Sequence, residues 1–293
     1  MNRNKLLPKQ PFSNSFGWLL GLMLLGMVLP AMGQKSGNKE GSLFIIGGGK
    51  LPDSLLNQMI DLAEVRYDGY ILIMPMASED PDSVAQYFKN RFELLNVKAV
   101  APIFIGQQSI ATNTQIDSII RAKLIFMTGG DQNRLMNAME QLSITQAIRT
   151  AHGKGAMIAG TSAGAAVMSQ FMLTGRQLLY PDDQSDFRHL KKGNVQLTNG
   201  LGLLKNAVID QHFVERSRYN RLLSVVIERS DLMGVGISEG TAIWVVRNRA
   251  EVFGAAQVIL VKNKKRKKPE NGLLYSPKVR LTMLMSGARF SIR

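Results

Sequence analysis

Ala156-Met157-Ile158-Ala159-Gly160-Thr161-Ser162-Ala163-Gly164-Ala165-Ala166-Val167-Met168 is the stretch on which the fold turns. A short apolar run reads as a buried strand. Gly160 to Gly164 then matches G-x-S-x-G, and small residues open a helix directly after it. A serine on a sharp strand-to-helix turn sits in a strained backbone conformation, and its neighbours must be small. The same turn sets its hydroxyl near a helix N-terminus, where backbone N–H groups stabilise an oxyanion. The five-residue pattern alone is weak. Its setting is what makes Ser162 a candidate nucleophile rather than an inert residue of a packing turn.

Upstream, the same alternation repeats. Ser42 to Ile46 is a strand closed by Gly47-Gly48-Gly49, and Tyr70 to Met76 is a second. Lys98 to Ile105 is a third, and Pro102 removes a ladder donor from it, which predicts a place near a sheet edge. Lys123 to Met127 is a fourth, closed by Thr128-Gly129-Gly130-Asp131-Gln132. Helical spacing fills the gaps at 55–65, 81–95, 114–121 and 134–149. Short apolar strands alternating with helices predict β-α-β units and a mainly parallel sheet with helices on both faces. In such sheets the chemistry gathers beyond the carboxyl ends of the strands.

A serine nucleophile needs a base, and the chain holds three histidines. His152 precedes its strand and falls at the wrong end of the sheet. His189 lies in a charged loop between Arg188 and Lys191. His212, in Val208-Ile209-Asp210-Gln211-His212-Phe213, follows a short apolar strand and is favoured. A carboxylate should orient the imidazole. Glu239, in a glycine-flanked turn between two apolar strands, ranks first. Asp182, Asp183 and Asp186, on the loop after the serine helix, are rivals. So is Asp210, which in an extended segment shares a face with His212.

Gly129 and Gly130 close the strand before the elbow strand, so their amides, with that of Ala163, are candidates for an oxyanion cradle. Gln132 is a candidate substrate contact, and Asp131 a cap for the following helix. Arg216, Arg218 and Arg221 follow His212. On a helix, Arg218 and Arg221 share a face, and arginines suit bidentate capture of carboxylates.

Taken together, these blocks resemble the cyanophycinase and peptidase E-like serine peptidases over about residues 43–261. Four anchors carry the resemblance: Phe126 to Gln132, Gly160 to Ala165, Ile209 to Phe213 with its three arginines, and Gly236 to Ala242. It implies a class I glutamine-amidotransferase-like α/β fold and a Ser162–His212–Glu239 arrangement. It also implies substrate contacts from Gln132, Asp210, Gln211, Arg216, Arg218 and Arg221, and neither metal nor organic cofactor. Cyanophycin is a polyaspartate with arginine on its side-chain carboxyls, and this family releases β-aspartyl-arginine from it. The Asp-Gln-His-Phe block looks more like cyanophycinase than the aspartyl dipeptidase, which is the alternative. The expected partner is an aspartyl-arginine polymer or β-aspartyl peptide.

Composition frames this reading. The 293 residues are 45% hydrophobic and 20% charged, ordinary for a globular chain. Cysteine is absent, so disulfides, Cys-ligated zinc, a thiol nucleophile and a lipid-bearing cysteine are excluded. Lys and Arg number 36 against 22 Asp and Glu, a net charge of +14. The run Lys262-Asn263-Lys264-Lys265-Arg266-Lys267-Lys268 carries much of that excess and opens a basic tail, 262–293, in which no further pattern is read. A non-catalytic binder of anionic polymers built on that run is the rival from another class, but nucleic acid is not the expected partner. Residues 1–33, with Arg3, Lys5 and Lys9, an uncharged run from Phe16 to Leu29 and small Ala31 and Gly33, have the layout of a secretory signal peptide. Cleavage after Gly33, a linker at 34–42, export, a peptidase domain at 43–261 and a possible homodimer complete the expectations.

Overall fold

The computed structural model describes residues 40–103, 110–181, 189–264 and 271–293. The expected leader lies outside them, as do Asp182, Asp183, Asp186 and most of the basic run.

The alternation read from the sequence is present. β1 (Ser42–Ile46), α1 (Asp53–Ala63), β2 (Ile71–Met74), α2 (Pro81–Leu94), β3 (Val100–Pro102), α3 (Asn113–Arg121) and β4 (Leu124–Met127) come first. α4 (Gln132–Gln141), α5 (Thr145–Gly153), β5 (Met157–Thr161) and the short α6 (Ala163–Ala166) follow. In space the strands run β3-β2-β4-β5-β1, all parallel. β3 stands at the edge, where Pro102 leaves no ladder bond unmade.

Alternate side chains of each strand point to opposite faces. Phe44, Ile46, Ile73 and Phe126 therefore meet Leu55, Leu56, Met59, Phe88 and Phe92 of α1 and α2. Leu43, Ile45, Leu72, Ile125 and Ile158 face α3 to α6. The Phe92 ring meets Phe126 edge-on at 5.2 Å, and truncating Phe126 to alanine costs about 3–5 kcal/mol. The helices start where their caps dictate. Asp80 accepts from Ser83 N at 3.1 Å ahead of Pro81, Thr112 and Gln115 form a reciprocal capping box, and Asp131 accepts from the amides of Asn133 and Arg134.

The second half departs from a single parallel sheet. β6 (Phe171–Gln177) pairs with β7 (Val195–Asn199). β8 (Ala207–Gln211), α7 (Tyr219–Glu228) and β9 (Met233–Ile237) lead to β10 (Thr241–Val246), β11 (Arg249–Gly254) and β12 (Val258–Asn263). β10 and β11 extend the first sheet antiparallel beyond β1. β8, parallel to β9, begins a second sheet of order β8-β9-β12, covered on one face by α7.

The boundary at 261 is corrected. It falls inside β12, and the supposed tail contributes β13 (Val279–Leu284) to the second sheet and β14 (Arg289–Ser291) to the first. Charge drew attention from the apolar residues that do the pairing. Ile292 is buried, and Phe290 and Leu284 pack on the main core.

Candidate active site

Ser162 follows β5 and caps α6 with φ 53° and ψ −109°, a conformation L residues avoid. The chain tolerates it because neighbouring positions are backbone only. A Cβ on Gly160 would lie 2.4 Å from Gly164 O, and one on Gly164 would lie 2.3 Å from Met127 O. The Ser162 amide donates to Ile46 O across to β1 (3.1 Å), and its carbonyl accepts from Ala165 and Ala166. The hydroxyl is thereby fixed above the carboxyl ends of β1 and β5.

His212 follows β8, also at positive φ (49°). Its amide donates to Gly47 O at 2.7 Å, and Phe213 N donates to Ile237 O. The Phe213 ring is fully buried, and its ring atoms lie where a side chain on Gly236 would start. These contacts aim the imidazole. Ser162 Oγ lies 2.8 Å from His212 Nε2, and His212 Nδ1 lies 2.5 Å from Glu239 Oε1. A protonated Nδ1 facing the carboxylate leaves the Nε2 lone pair for the hydroxyl.

The imidazole is buried, and burial pushes its pKa below the ordinary 6.5. The hydrogen bond His212 donates to Glu239 opposes that shift, while the cations Arg216 and Arg218 add to it. The ring is therefore neutral at neutral pH, the state a general base requires.

Of the residues expected to cradle an oxyanion, Gly129 stands beside the serine: a Cβ there would lie 3.4 Å from Ser162 Cβ and 4.0 Å from Oγ. Ala163 opens α6, so its N–H has no carbonyl one turn back to bond. Gly130 is turned toward the loop after β2, where a Cβ would strike Ala77 O, and the neighbouring Asp131 N donates to that same carbonyl.

The arginines form a layered cluster. His212 to Arg218 is a run of turns, and α7 begins only at Tyr219. Asp210 is wholly buried and holds Arg221 in a two-point contact, Nε to Oδ2 at 2.7 Å and Nη2 to Oδ1. Arg218 lies 3.7 Å from the same carboxylate and donates to Gln211 O and Oε1 at 2.7 and 2.6 Å. Burial, reinforced by the Arg221 cation, pushes the Arg218 pKa down to about 10, so it stays charged at neutral pH. Arg216 is exposed.

Two expectations change here. Asp210 does not orient the imidazole, because Glu239 occupies Nδ1. Nor does it present a free carboxylate to a substrate, since it is enclosed beneath two arginines. Gln211, 5% exposed, likewise supports Arg218 from below.

Gln132 opens α4 and donates Nε2 to Leu173 O of β6 (3.0 Å), and Asn133 donates to Thr174 O. The ladder between β6 and β7 slips between Leu173 and Gln177, and a side chain on Gly175 would reach toward Gln132 Nε2 (3.5 Å) and Arg221 Nη1 (4.0 Å). The bulge therefore walls the site between those two residues, as bulges beside active sites do.

Sequence reasoning read Gly47-Gly48-Gly49 only as a turn. A Cβ on Gly48, at φ +100°, would lie 2.4 Å from His212 Cε1, and one on Gly49 would lie 2.4 Å from Glu239 Oε2. Gly47 O receives the His212 amide and Gly48 O the Gly240 amide. The loop is thus the seat of both base and acid. Its position past the carboxyl end of β1, on the rim where the serine lies, was the signal. Of the other histidines, His152 lies at the far end of the sheet against Gly41, and His189 stacks on Tyr180 at 3.7 Å.

A nucleophile elbow with a hydrogen-bonded imidazole and carboxylate on a parallel α/β sheet defines the serine-hydrolase class with a glutamine-amidotransferase-like fold. The chain matches Peptidase family S51 over residues 43–253, and it belongs to that family. It is 33% identical over 195 residues to a cyanophycinase of Nostoc sp., covering 66% of this chain and 63% of that protein. It is 32% identical over 197 residues to one of Synechococcus elongatus, covering 66% and 59%. The matched stretch thus spans under two thirds of the length of these relatives. A crystal structure of a peptidase from an acI-B1 Actinobacterium shares the fold, with a TM-score of 0.64 at 21% identity over 87% of this chain and 98% of that one.

Proposed function

We propose that the protein is an exported serine peptidase that cleaves β-aspartyl peptide bonds and releases β-aspartyl-arginine from cyanophycin. The observation that carries this reading is the hydrogen-bonded chain from Ser162 Oγ through His212 to Glu239, at 2.8 and 2.5 Å.

Ser162 Oγ attacks the scissile carbonyl carbon while His212 Nε2 takes its proton. Glu239 stabilises the imidazolium that results. The tetrahedral oxyanion lies toward Gly129 and the Ala163 amide. His212 then returns the proton to the leaving amine, which departs and leaves an acyl-enzyme on Ser162. Water, deprotonated by the same nitrogen, attacks the ester carbonyl. Collapse of that second intermediate frees the acid product and returns the proton to Ser162.

The likeness to cyanophycinases supports the substrate, and so does the charge of the site. Arg218 and Arg221 enclose a single buried carboxylate, Asp210, and with Arg216 beside Arg218 they leave a cationic surplus for the free carboxylates of an aspartyl-arginine chain. The leader-like residues 1–33 support export, and secreted protein should begin at Gln34 on N-terminal sequencing.

The test is to incubate purified protein with cyanophycin and with α- and β-aspartyl dipeptides and to identify products by mass. Release of β-aspartyl-arginine that Ser162→Ala abolishes is the expected result. Release from α-aspartyl dipeptides alone makes the protein an aspartyl dipeptidase. Hydrolysis unchanged in Ser162→Ala removes the mechanism.

A further inference from the structure

His152 has no part in the mechanism, and it lines a second cavity at the opposite end of the sheet. The space measures about 380 Å³, within the range of small-molecule sites. Its walls are the start of β1, the end of α5, the loop that leads into β8 and the turn between β10 and β11. The catalytic rim lies past the other ends of β1 and β8, about 16 Å away along a strand of that length. The two sites are therefore separate.

Contacts that need no ligand hold these walls. Gly41 N donates to His152 O at 3.0 Å, Met233 N to Asn206 O at 3.0 Å and Ile292 N to Asn248 O at 2.9 Å. The floor is apolar: Leu43, Leu204, Val245 and Ile292 are all buried. The mouth is polar. Glu40 Oε2 accepts from Arg247 Nε at 2.8 Å, which leaves both Nη groups without a hydrogen bond to the described residues. Among those residues Lys205 has no ion pair, and the His152 ring has no hydrogen bond. Burial holds the His152 pKa below 6.5 against the pull of Glu40, so the ring is neutral and offers one N–H. Backbone strain marks the same mouth. The two-residue turn of the β10–β11 hairpin sets Arg247 at φ 54°, where glycine, asparagine or aspartate is the usual choice. Strain of this kind persists only where the surrounding structure enforces it, and it gathers at ligand sites.

We propose that this cavity binds a small organic anion, a carboxylate carried on an apolar body. The body suits the aliphatic floor. The carboxylate suits the mouth, where Lys205 and Arg247 outnumber Glu40 and the paired Nη groups present a planar set of donors. Gln34 to Lys39 include Lys35 and Lys39 and no acid, so the chain ahead of Glu40 supplies no anion for that mouth. An inorganic anion leaves the floor unfilled, and a neutral apolar molecule buries donors without partners. The site asks nothing of Ser162 and stands whichever bond the catalytic rim cleaves.

Hexanoate serves as the probe, with acetate and hexan-1-ol as its charged and apolar halves. The chain holds three histidines, so their ring protons are resolved by NMR, with His152→Gln to assign the resonance of interest. Hexanoate should shift the His152 signal saturably, and acetate and hexan-1-ol should each bind at least about tenfold more weakly. Lys205→Glu should weaken hexanoate by at least about tenfold. Lys205 is exposed, so this variant keeps its fold, which an unchanged thermal midpoint checks. Arg216→Ala, at the catalytic rim, should leave the affinity as it was. Absence of a saturable shift at His152 up to about 20 mM hexanoate overturns the proposal. So does acetate binding as tight as that of hexanoate, affinity indifferent to Lys205→Glu, or affinity lost in Arg216→Ala instead.

Discussion

Ser162 and His212 both sit at positive φ, 53° and 49°, yet different things hold them there. The serine is set locally. Five consecutive residues make its turn, and the glycines at either end close it against backbone atoms. The histidine is set from a distance. Its amide hangs on Gly47, its ring lies on Gly48, and its carboxylate partner comes from a loop 27 residues away. Backbone contacts at the elbow leave nothing to yield, whereas side-chain contacts at the rim can swing. Strain at the elbow therefore appears as lost stability, and strain at the rim as lost activity.

The largest expected effect erases the comparison altogether. Ser162→Ala should lower kcat on a β-aspartyl peptide by about 10⁴- to 10⁶-fold with little change in KM, and adding His212→Ala should cost little more, because the two act as one unit. Steady-state kinetics on the single and double variants checks this. Full additivity would mean the imidazole serves some other step.

Glu239→Gln should lower kcat by up to about 10⁴-fold while leaving the fold intact, since the loss is in orienting and stabilising the imidazolium. A loss of less than tenfold would return the role to an acid on the loop after β6.

The glycine pair sharpens the contrast. Gly164→Ala drives a Cβ into Met127 O and should cost about 3 kcal/mol or more of stability, read from denaturant unfolding. Gly48→Ala meets the imidazole instead. It should displace the ring and lower kcat by about 10²-fold, while its φ of +100° adds backbone strain of about 1–2 kcal/mol, less than the cost at Gly164. Equal destabilisation in both would break the distinction between the elbow and the rim.

The smallest effect is electrostatic. Burial holds the His212 pKa below 6.5, so kcat/KM should rise with pH through a limb centred below that value and stay level above it. Arg216→Ala removes a cation that depresses this pKa, so the limb should move upward by less than one pH unit. Stability follows the same sign. The unfolded chain binds the proton more readily, so the contribution is complete above 6.5 and is lost as pH falls through the folded value.

How far the sequence reached differs along the chain. Strands of the parallel sheet were legible because both faces are buried, which makes them uninterrupted apolar runs closed by glycine. β3 was legible as an edge from Pro102 alone. β13 and β14 were not, because strands exposed along most of their length and carrying cations read as a basic tail. Asp210 was misjudged for a similar reason: adjacency to His212 in an extended segment fixes which face it takes, but not that two arginines from the turn and helix beyond will enclose it.

The sequence by itself determined the strand–turn–helix order, the elbow at Ser162 and the family, because these depend on local periodicity and on residues too small to be replaced. Only the tertiary structure decided which carboxylate meets the imidazole. β8 and β9 lie parallel with Gln211 opposite Ile237, so the residues just past both strands emerge side by side on one rim. No spacing along a chain encodes the register between strands that a helix separates, and it is that register which brings Glu239 to His212.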